Sequence, residues 1–196
     1  MKSLTLALAL TALCAGTAAS QNKPDPTRNA RQGFWIGFGL GAGSAGVDCA
    51  GCDTKRVNGF SGHLRLGGTL SRHLLLGGET NGWVHSESGA DESMGFGNLV
   101  LLWYPSATGA FYLKFGLGGM NYTATGTILG KLTATAASGS LGLGYEFRTS
   151  RNMSLNLFLN SLASAPATFK INGTTAPSSE DIKLNMVQLG LGLTWH

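Results

Sequence analysis

Cys49 and Cys52, separated only by Ala50 and Gly51, are the sharpest local chemical signal in this sequence. On an exported chain such a pair closes a small disulfide that pins a loop. A metal site completed by Asp48 or Asp53 is the lesser alternative. A catalytic redox pair would need a βαβ setting that the flanking residues lack. His85, Ser86 and Glu87 place a base, a nucleophile and a carboxylate in a row. Adjacent residues seldom converge in space, so they read as a solvated segment and not as a triad. Ser61 and His63 share one face of an alternating segment and read as polar packing; His73 flanks a tight turn and reads as exposed. Gly37, Gly39 and Gly41 repeat at strand period with no helix behind them, so they do not cradle phosphate. The Asn-x-Ser/Thr triplets at Asn121, Asn152 and Asn172 read as chance matches. No metal or cofactor site is expected.

Residues 1–20 read as a cleaved signal peptide. Lys2 supplies the charged start, Leu4 to Leu13 the short apolar stretch, and Ala18-Ala19-Ser20 the small residues before a cut at Gln21. Cys14 raises a lipoprotein alternative, which Leu13 disfavours because that position takes a small residue. Residues 21–32, with Pro24 and Pro26, read as a short flexible periplasmic lead-in, since an even strand count puts both ends on that side. The remainder, 33–196, is one domain.

Charge narrows the class. Lys and Arg total 14 against 10 Asp and Glu, and they form no stripe, so nucleic-acid binding is not indicated. Charged residues are only 12% of the chain, about half of what a soluble domain carries. Something other than water must cover much of this surface. No apolar run is long enough for a membrane helix, which leaves a closed barrel as the structure able to span a bilayer.

Positioning falls to strands. Alternation at period two marks eight segments, near 33–43, 58–70, 73–83, 93–104, 109–121, 137–147, 153–163 and 184–195. Phe34, Ile36, Phe38 and Leu40 line one face of the first; Phe111, Leu113, Phe115 and Leu117 do so in the fifth; Val187, Leu189, Leu191, Leu193 and Trp195 in the last. The fourth is apolar on both faces at Leu99 to Tyr104 and has no clear orientation. The opposite row is mostly Gly, Ser, Thr and Asn, with charges at Arg65, Glu79, Lys114 and Glu146. A water-facing row would be richer in charge. Small residues and balanced ions suit a narrow lumen, so the apolar row is assigned outward, to lipid. Arg65 with Glu79 and Lys114 with Glu146 are the expected lumen ion pairs. Phe34, Tyr104, Phe111, Phe147 and Trp195 read as interfacial girdles. Links near 71–72, 105–108 and 148–152 are short; those near 44–57, 84–92, 122–136 and 164–183 are longer.

With these features the chain resembles the small eight-stranded outer-membrane barrels of the OmpA transmembrane-domain and OmpX type. The resemblance implies an all-β, antiparallel, up-and-down transmembrane barrel in the bacterial outer membrane. The expected surroundings are outer-membrane lipid and lipopolysaccharide, and a monomer is expected because closure of eight strands needs no partner. In that family the barrel-assembly machinery reads the last strand, here Leu191, Leu193 and Trp195; His196 departs from the usual terminal aromatic. The expected function is a non-enzymatic scaffold that presents surface loops for envelope integrity, adhesion or surface interaction. The alternatives are a lipid A-modifying barrel, which would need a His and a Ser facing lipid, and a secreted lipocalin-like carrier, which would need the two faces exchanged.

Overall fold

The computed structural model describes residues 31–48, 56–87, 89–126, 130–150, 152–175 and 182–196. The signal peptide, most of the lead-in, and Cys49 and Cys52 lie outside the described residues. Ten strands form one sheet: β1 (Phe34–Asp48), β2 (Val57–Thr69), β3 (Leu74–Glu87), β4 (Ala90–Trp103), β5 (Phe111–Gly126), β6 (Gly130–Arg148), β7 (Met153–Ser164), β8 (Thr168–Ile171), β9 (Thr174–Thr175) and β10 (Lys183–Trp195). Every pairing is antiparallel, and β1 joins β10 on one side and β2 on the other. Pairing of β5 with β6 and of β7 with β10 completes a closed ring of eight staves. Closure leaves no free ladder edge within the ring.

The faces fall as the alternation requires. Phe38, Leu66, Phe115 and Leu191 are 42%, 45%, 43% and 55% exposed, whereas Arg65 and Glu146 are 1% and 5% exposed. Apolar side chains therefore coat the outside and the ions lie within, which excludes the dissolved-carrier arrangement. Strand β4 now has an orientation: Asn98, Val100 and Leu102 point inward, and Leu99, Leu101 and Trp103 outward. Tyr104 is fully buried and belongs to the interior rather than to a girdle; Phe34, Phe111, Phe147 and Trp195 are exposed on the outer row.

Two of the expected long links are paired strand. The β3–β4 ladder runs to Glu87 opposite Ala90, and the β5–β6 ladder to Gly126 opposite Gly130. The outward row is polar there (Ser86, Asp91 and Ser93; Thr123, Thr125, Lys131 and Thr133), so no greasy face announces the strand, yet the ladder continues. The stretch 164–183 also contains structure. Its β8–β9 hairpin turns at Asn172 (φ 49°) and Gly173 (φ 85°), a two-residue turn of the kind that Asn-Gly favours. Strand β8 docks on β6, with Thr133 opposite Lys170 and Thr135 opposite Thr168.

Glycines make room for the large side chains inside. A Cβ at Gly39 would lie 2.5 Å from His63 and 2.6 Å from Phe158, and one at Gly144 would lie 2.3 Å from the Tyr112 ring. Neither ring could occupy the lumen otherwise.

Candidate functional site

The lumen is stacked in three layers. Near the termini, Trp35, Leu75, Val100, Leu102, Tyr104 and Tyr112 form an aromatic-rich floor. The middle is polar, with Ser61, His63, Arg65, Glu79, Asn81, Asn98, Lys114, Asn156 and Gln188 buried. The far end is apolar again: Trp83, Met94, Phe96, Met120, Leu162, Leu184 and Met186 pack together, joined by Phe169 from β8.

Within the middle layer the ion pairing differs from the expectation. Arg65 does lie opposite Glu79 in register, but no ion pair joins them among the described residues. The guanidinium instead donates to the Tyr112 hydroxyl (3.1 Å) and to Thr194 Oγ1 (3.2 Å), and lies 5.1 Å and 5.9 Å from the Tyr112 and Trp35 ring centroids. Glu79 takes the ammonium of Lys114 at 2.5 Å and the amide of Asn81 at 2.8 Å. Lys114 cannot serve Glu146, because its register partner on β6 is Gly142. That is four residues, or about 13 Å, along the strand from Glu146. Packing on aromatic faces suits a guanidinium, while a compact ammonium suits the carboxylate across the lumen.

Glu146 is served from the chain ends. The Tyr104 hydroxyl donates to its Oε1 at 2.8 Å, Arg31 Nε to its Oε2 at 3.4 Å, and the His196 imidazole lies 3.8 Å away. Arg31 also donates to the Gly109 and Ala107 carbonyls and covers the Tyr104 ring at 3.6 Å. Sequence periodicity could not find Arg31, which precedes the first strand, and His196 was legible only as a departure from an aromatic terminus. Trp195, by contrast, faces outward and stacks on Phe38 at 5.8 Å. Leu191 and Leu193 share its outward row.

The remaining chemistry-bearing residues disperse. Ser61 and His63 are buried in the lumen, with the His63 ring edge-on to Phe158 at 4.5 Å. His85 approaches Glu87 at 3.3 Å and stacks on Trp83, but Ser86 lies on the opposite face of β3, so no triad forms. His73 is exposed beside the turn and contacts the Tyr104 carbonyl at 2.8 Å. Among the described residues no cluster of three or more His, Cys, Asp or Glu could hold a metal ion.

Comparison with known proteins then places the fold. The family model described as outer membrane protein beta-barrel domain matches residues 5–194. The chain belongs to this outer-membrane β-barrel family. Neisserial surface protein A has a similar crystal structure, with 13% identity, a TM-score of 0.59, and coverage of 84% of this chain and 97% of that one. Ail, the attachment invasion locus protein of Yersinia pestis, is similar with 15% identity, a TM-score of 0.54, and coverage of 83% and 99%. No curated protein sequence matches.

Placed in an outer membrane, the upper two layers acquire a cause. On β5 the outward row is apolar through Leu117, after which Met120 and Tyr122 turn inward. The same inversion separates Leu159 from Leu162 on β7, Leu189 from Met186 on β10, and Leu99 from Phe96 on β4. Between the apolar floor and the inversion the barrel shows hydrocarbon outside and polar groups inside. Above it the strands stand in water and fold like a soluble protein, with apolar inside and polar outside. The change of phase marks the outer hydrocarbon boundary. The opposite end carries the start of β1, the end of β10 and the short turns, and in outer-membrane barrels the short-turn end is the periplasmic one.

Proposed function

We propose that this outer-membrane barrel is a non-enzymatic, non-conducting anchor that holds folded hairpins at the cell surface for envelope integrity, adhesion or surface interaction. The observation that carries this reading is the apolar plug at the outer end of the lumen. It joins inward side chains of β3, β4, β5, β7 and β10 to the β8–β9 hairpin, so the surface elements and the barrel share one core. A conducting pore would need a wet outer mouth instead.

Lipid A modification finds no support in the histidines. None of the four occupies the lipid-facing row: His63 and His196 are interior, His73 is at a periplasmic turn, and His85 is on the inward phase of β3. Biogenesis is read as in the family, with Leu191, Leu193 and Trp195 as the residues presented to the assembly machinery and a monomer as the product.

Replacement of the β8–β9 hairpin by a short Gly-Ser link tests the role. Loss of host-surface attachment or of envelope resistance to detergent, with membrane insertion intact, supports it. Altered lipid A in mass spectra of expressing cells, absent from a vector control, overturns it in favour of an enzyme.

A further inference from the structure

The outer wall of the barrel is not evenly greasy. Across β4 to β7 a groove of about 620 Å³ runs over the lipid-facing surface, walled by Leu99, Leu101, Phe115, Leu117 and Leu141, with Gly139 in its lining. A second, more polar cleft continues it outward, lined by Asn121, Thr135 and, from the surface hairpin, Pro166 and Thr168. Thr135 pairs with Thr168. The next outward pair up the same ladder is Thr133 with Lys170, and the next outward position on β6 is Lys131. Each step is about 7 Å. An apolar channel, a hydroxyl- and amide-lined cleft and a pair of exposed ammonium groups thus follow one another along a single line on the barrel wall.

No carboxylate of the described residues interrupts that line. Among the described residues β5, β7 and β8 carry no Asp or Glu, and β6 carries only Glu146, inside the opposite end. Among the described residues the acidic groups of the outer rim are Asp48, Glu87, Asp91 and Glu92, on β1, β3 and β4. We propose that this groove is a binding site for one lipopolysaccharide molecule. An acyl chain of lipid A lies in the apolar part, its sugar rests on Asn121, Thr135 and Thr168, and its phosphate meets Lys170 and Lys131. The order matches the depth profile of an outer-leaflet lipid: hydrocarbon below, hydroxylated sugar at the boundary, anionic phosphate above. Ammonium groups near a membrane surface attract anionic headgroups. An ordinary phospholipid has no sugar for the middle cleft, which is why the site is assigned to lipopolysaccharide. The assignment rests on outer-membrane residence and not on the proposed surface role.

Gly139 offers a clean test. A Cβ there meets nothing closer than 3.8 Å, so Gly139→Phe fills the groove without straining the backbone. Gly82→Phe on β3 is the control, since a Cβ at that outward position meets nothing within 4 Å. The full mature chain is refolded in phosphatidylcholine vesicles doped with purified lipopolysaccharide or, separately, with phosphatidylglycerol. Folding is checked by heat-modifiable migration, and lipid bound per barrel is counted by native mass spectrometry. The wild type and G82F should retain lipopolysaccharide about tenfold more tightly than G139F, and K170E should weaken retention with phosphatidylglycerol having little effect throughout. Equal retention by G139F and G82F would overturn the groove. Equal capture of phosphatidylglycerol would overturn lipopolysaccharide as its occupant. Should K170E alone misfold, G139F still decides the matter.

Discussion

Arg31 and Glu146 close the short-turn mouth of this barrel together, Nε to Oε2 at 3.4 Å, although 115 residues separate them in the chain. Arg31 precedes β1 and Glu146 lies two residues before the end of β6, and the contact sets the Arg31 side chain across the opening. Tyr104 lies between them, giving its hydroxyl to the carboxylate and its ring face to the guanidinium. Both side chains are more than nine-tenths shielded.

The first prediction follows from that contact. Arg31→Ala leaves a buried carboxylate with only the Tyr104 hydroxyl and the more distant His196. Losing one partner of a buried pair costs about 3–5 kcal/mol, and the remaining donors should hold the loss to roughly half that. Urea unfolding of the barrel in vesicles measures it. The R31A/E146Q double variant should recover most of the loss, because the orphaned charge is gone. No recovery would mean that Arg31 acts through its carbonyl and ring contacts instead.

Lys114 and Glu79 supply the second. Their 2.5 Å contact lies in the centre of the lumen, with both side chains essentially without solvent exposure. Lys114→Met should destabilise by about 3–5 kcal/mol, and K114M/E79Q should be markedly milder. Arg65→Met should not share that coupling with Glu79, since Arg65 is held by Tyr112, Thr194 and the Trp35 face. A double-mutant cycle for each pair reads the difference directly. A larger coupling for Arg65 with Glu79 than for Lys114 with Glu79 would reject the pairing described.

Sequence pattern captured the staves and the polarity of their faces because hydrocarbon imposes a strict alternation. It failed where the solvent changes. Residues 84–92 and 122–136 lose their outward apolar row on entering water, so they read as links although their ladders continue. Met94, Phe96, Met120, Leu162 and Met186 then switch to the other phase; the fourth segment reads as apolar on both faces at Leu99 to Tyr104 for a different reason, because Val100, Leu102 and Tyr104 build the apolar floor of the lumen. Register explains the ion pairs: neighbouring strands place Arg65 opposite Glu79, but side-chain reach and aromatic packing decide the partner. Asn172-Gly173 was a readable turn signal, hidden within a stretch whose Ser, Thr, Pro and Ala suggested no order.

The phase inversion makes a third prediction. An arginine at Leu143, on the lipid-facing row of β6, should cost about 2–4 kcal/mol, as charges in the middle of a barrel's lipid face do. An arginine at Thr133, on the same outward row but above the boundary, should cost less than about 0.5 kcal/mol. Met186→Ala, inward and above the boundary, should cost about 2–5 kcal/mol as a core truncation. Equilibrium unfolding in vesicles ranks the three. A costly Thr133→Arg would move the hydrocarbon boundary outward and break the assignment of the upper layer to water.

The sealed lumen leads to a fourth. Trp83 closes the outer layer by donating from Nε1 to the Gly43 carbonyl at 3.2 Å while packing on the plug. The wild-type barrel in a planar bilayer should show no large, stable conductance steps, because eight staves leave a lumen only wide enough for side chains. Long-lived openings of porin size would contradict the packing of both end layers.

Gly173 carries the last. Its φ of 85° lies where a β-branched residue is strongly disfavoured. Gly173→Val should therefore open the β8–β9 hairpin without unfolding the staves, which share no residue with that turn. The barrel would still migrate as a heat-modifiable species, whereas brief protease treatment of intact cells would cut near residues 168–175 in the variant and spare the wild type. Phe169 would leave the plug with the hairpin, so tryptophan emission from Trp83 should shift to the red. Equal protease resistance in the two proteins would show that the hairpin is held by its β6 ladder and the plug alone, with the turn contributing little to its order.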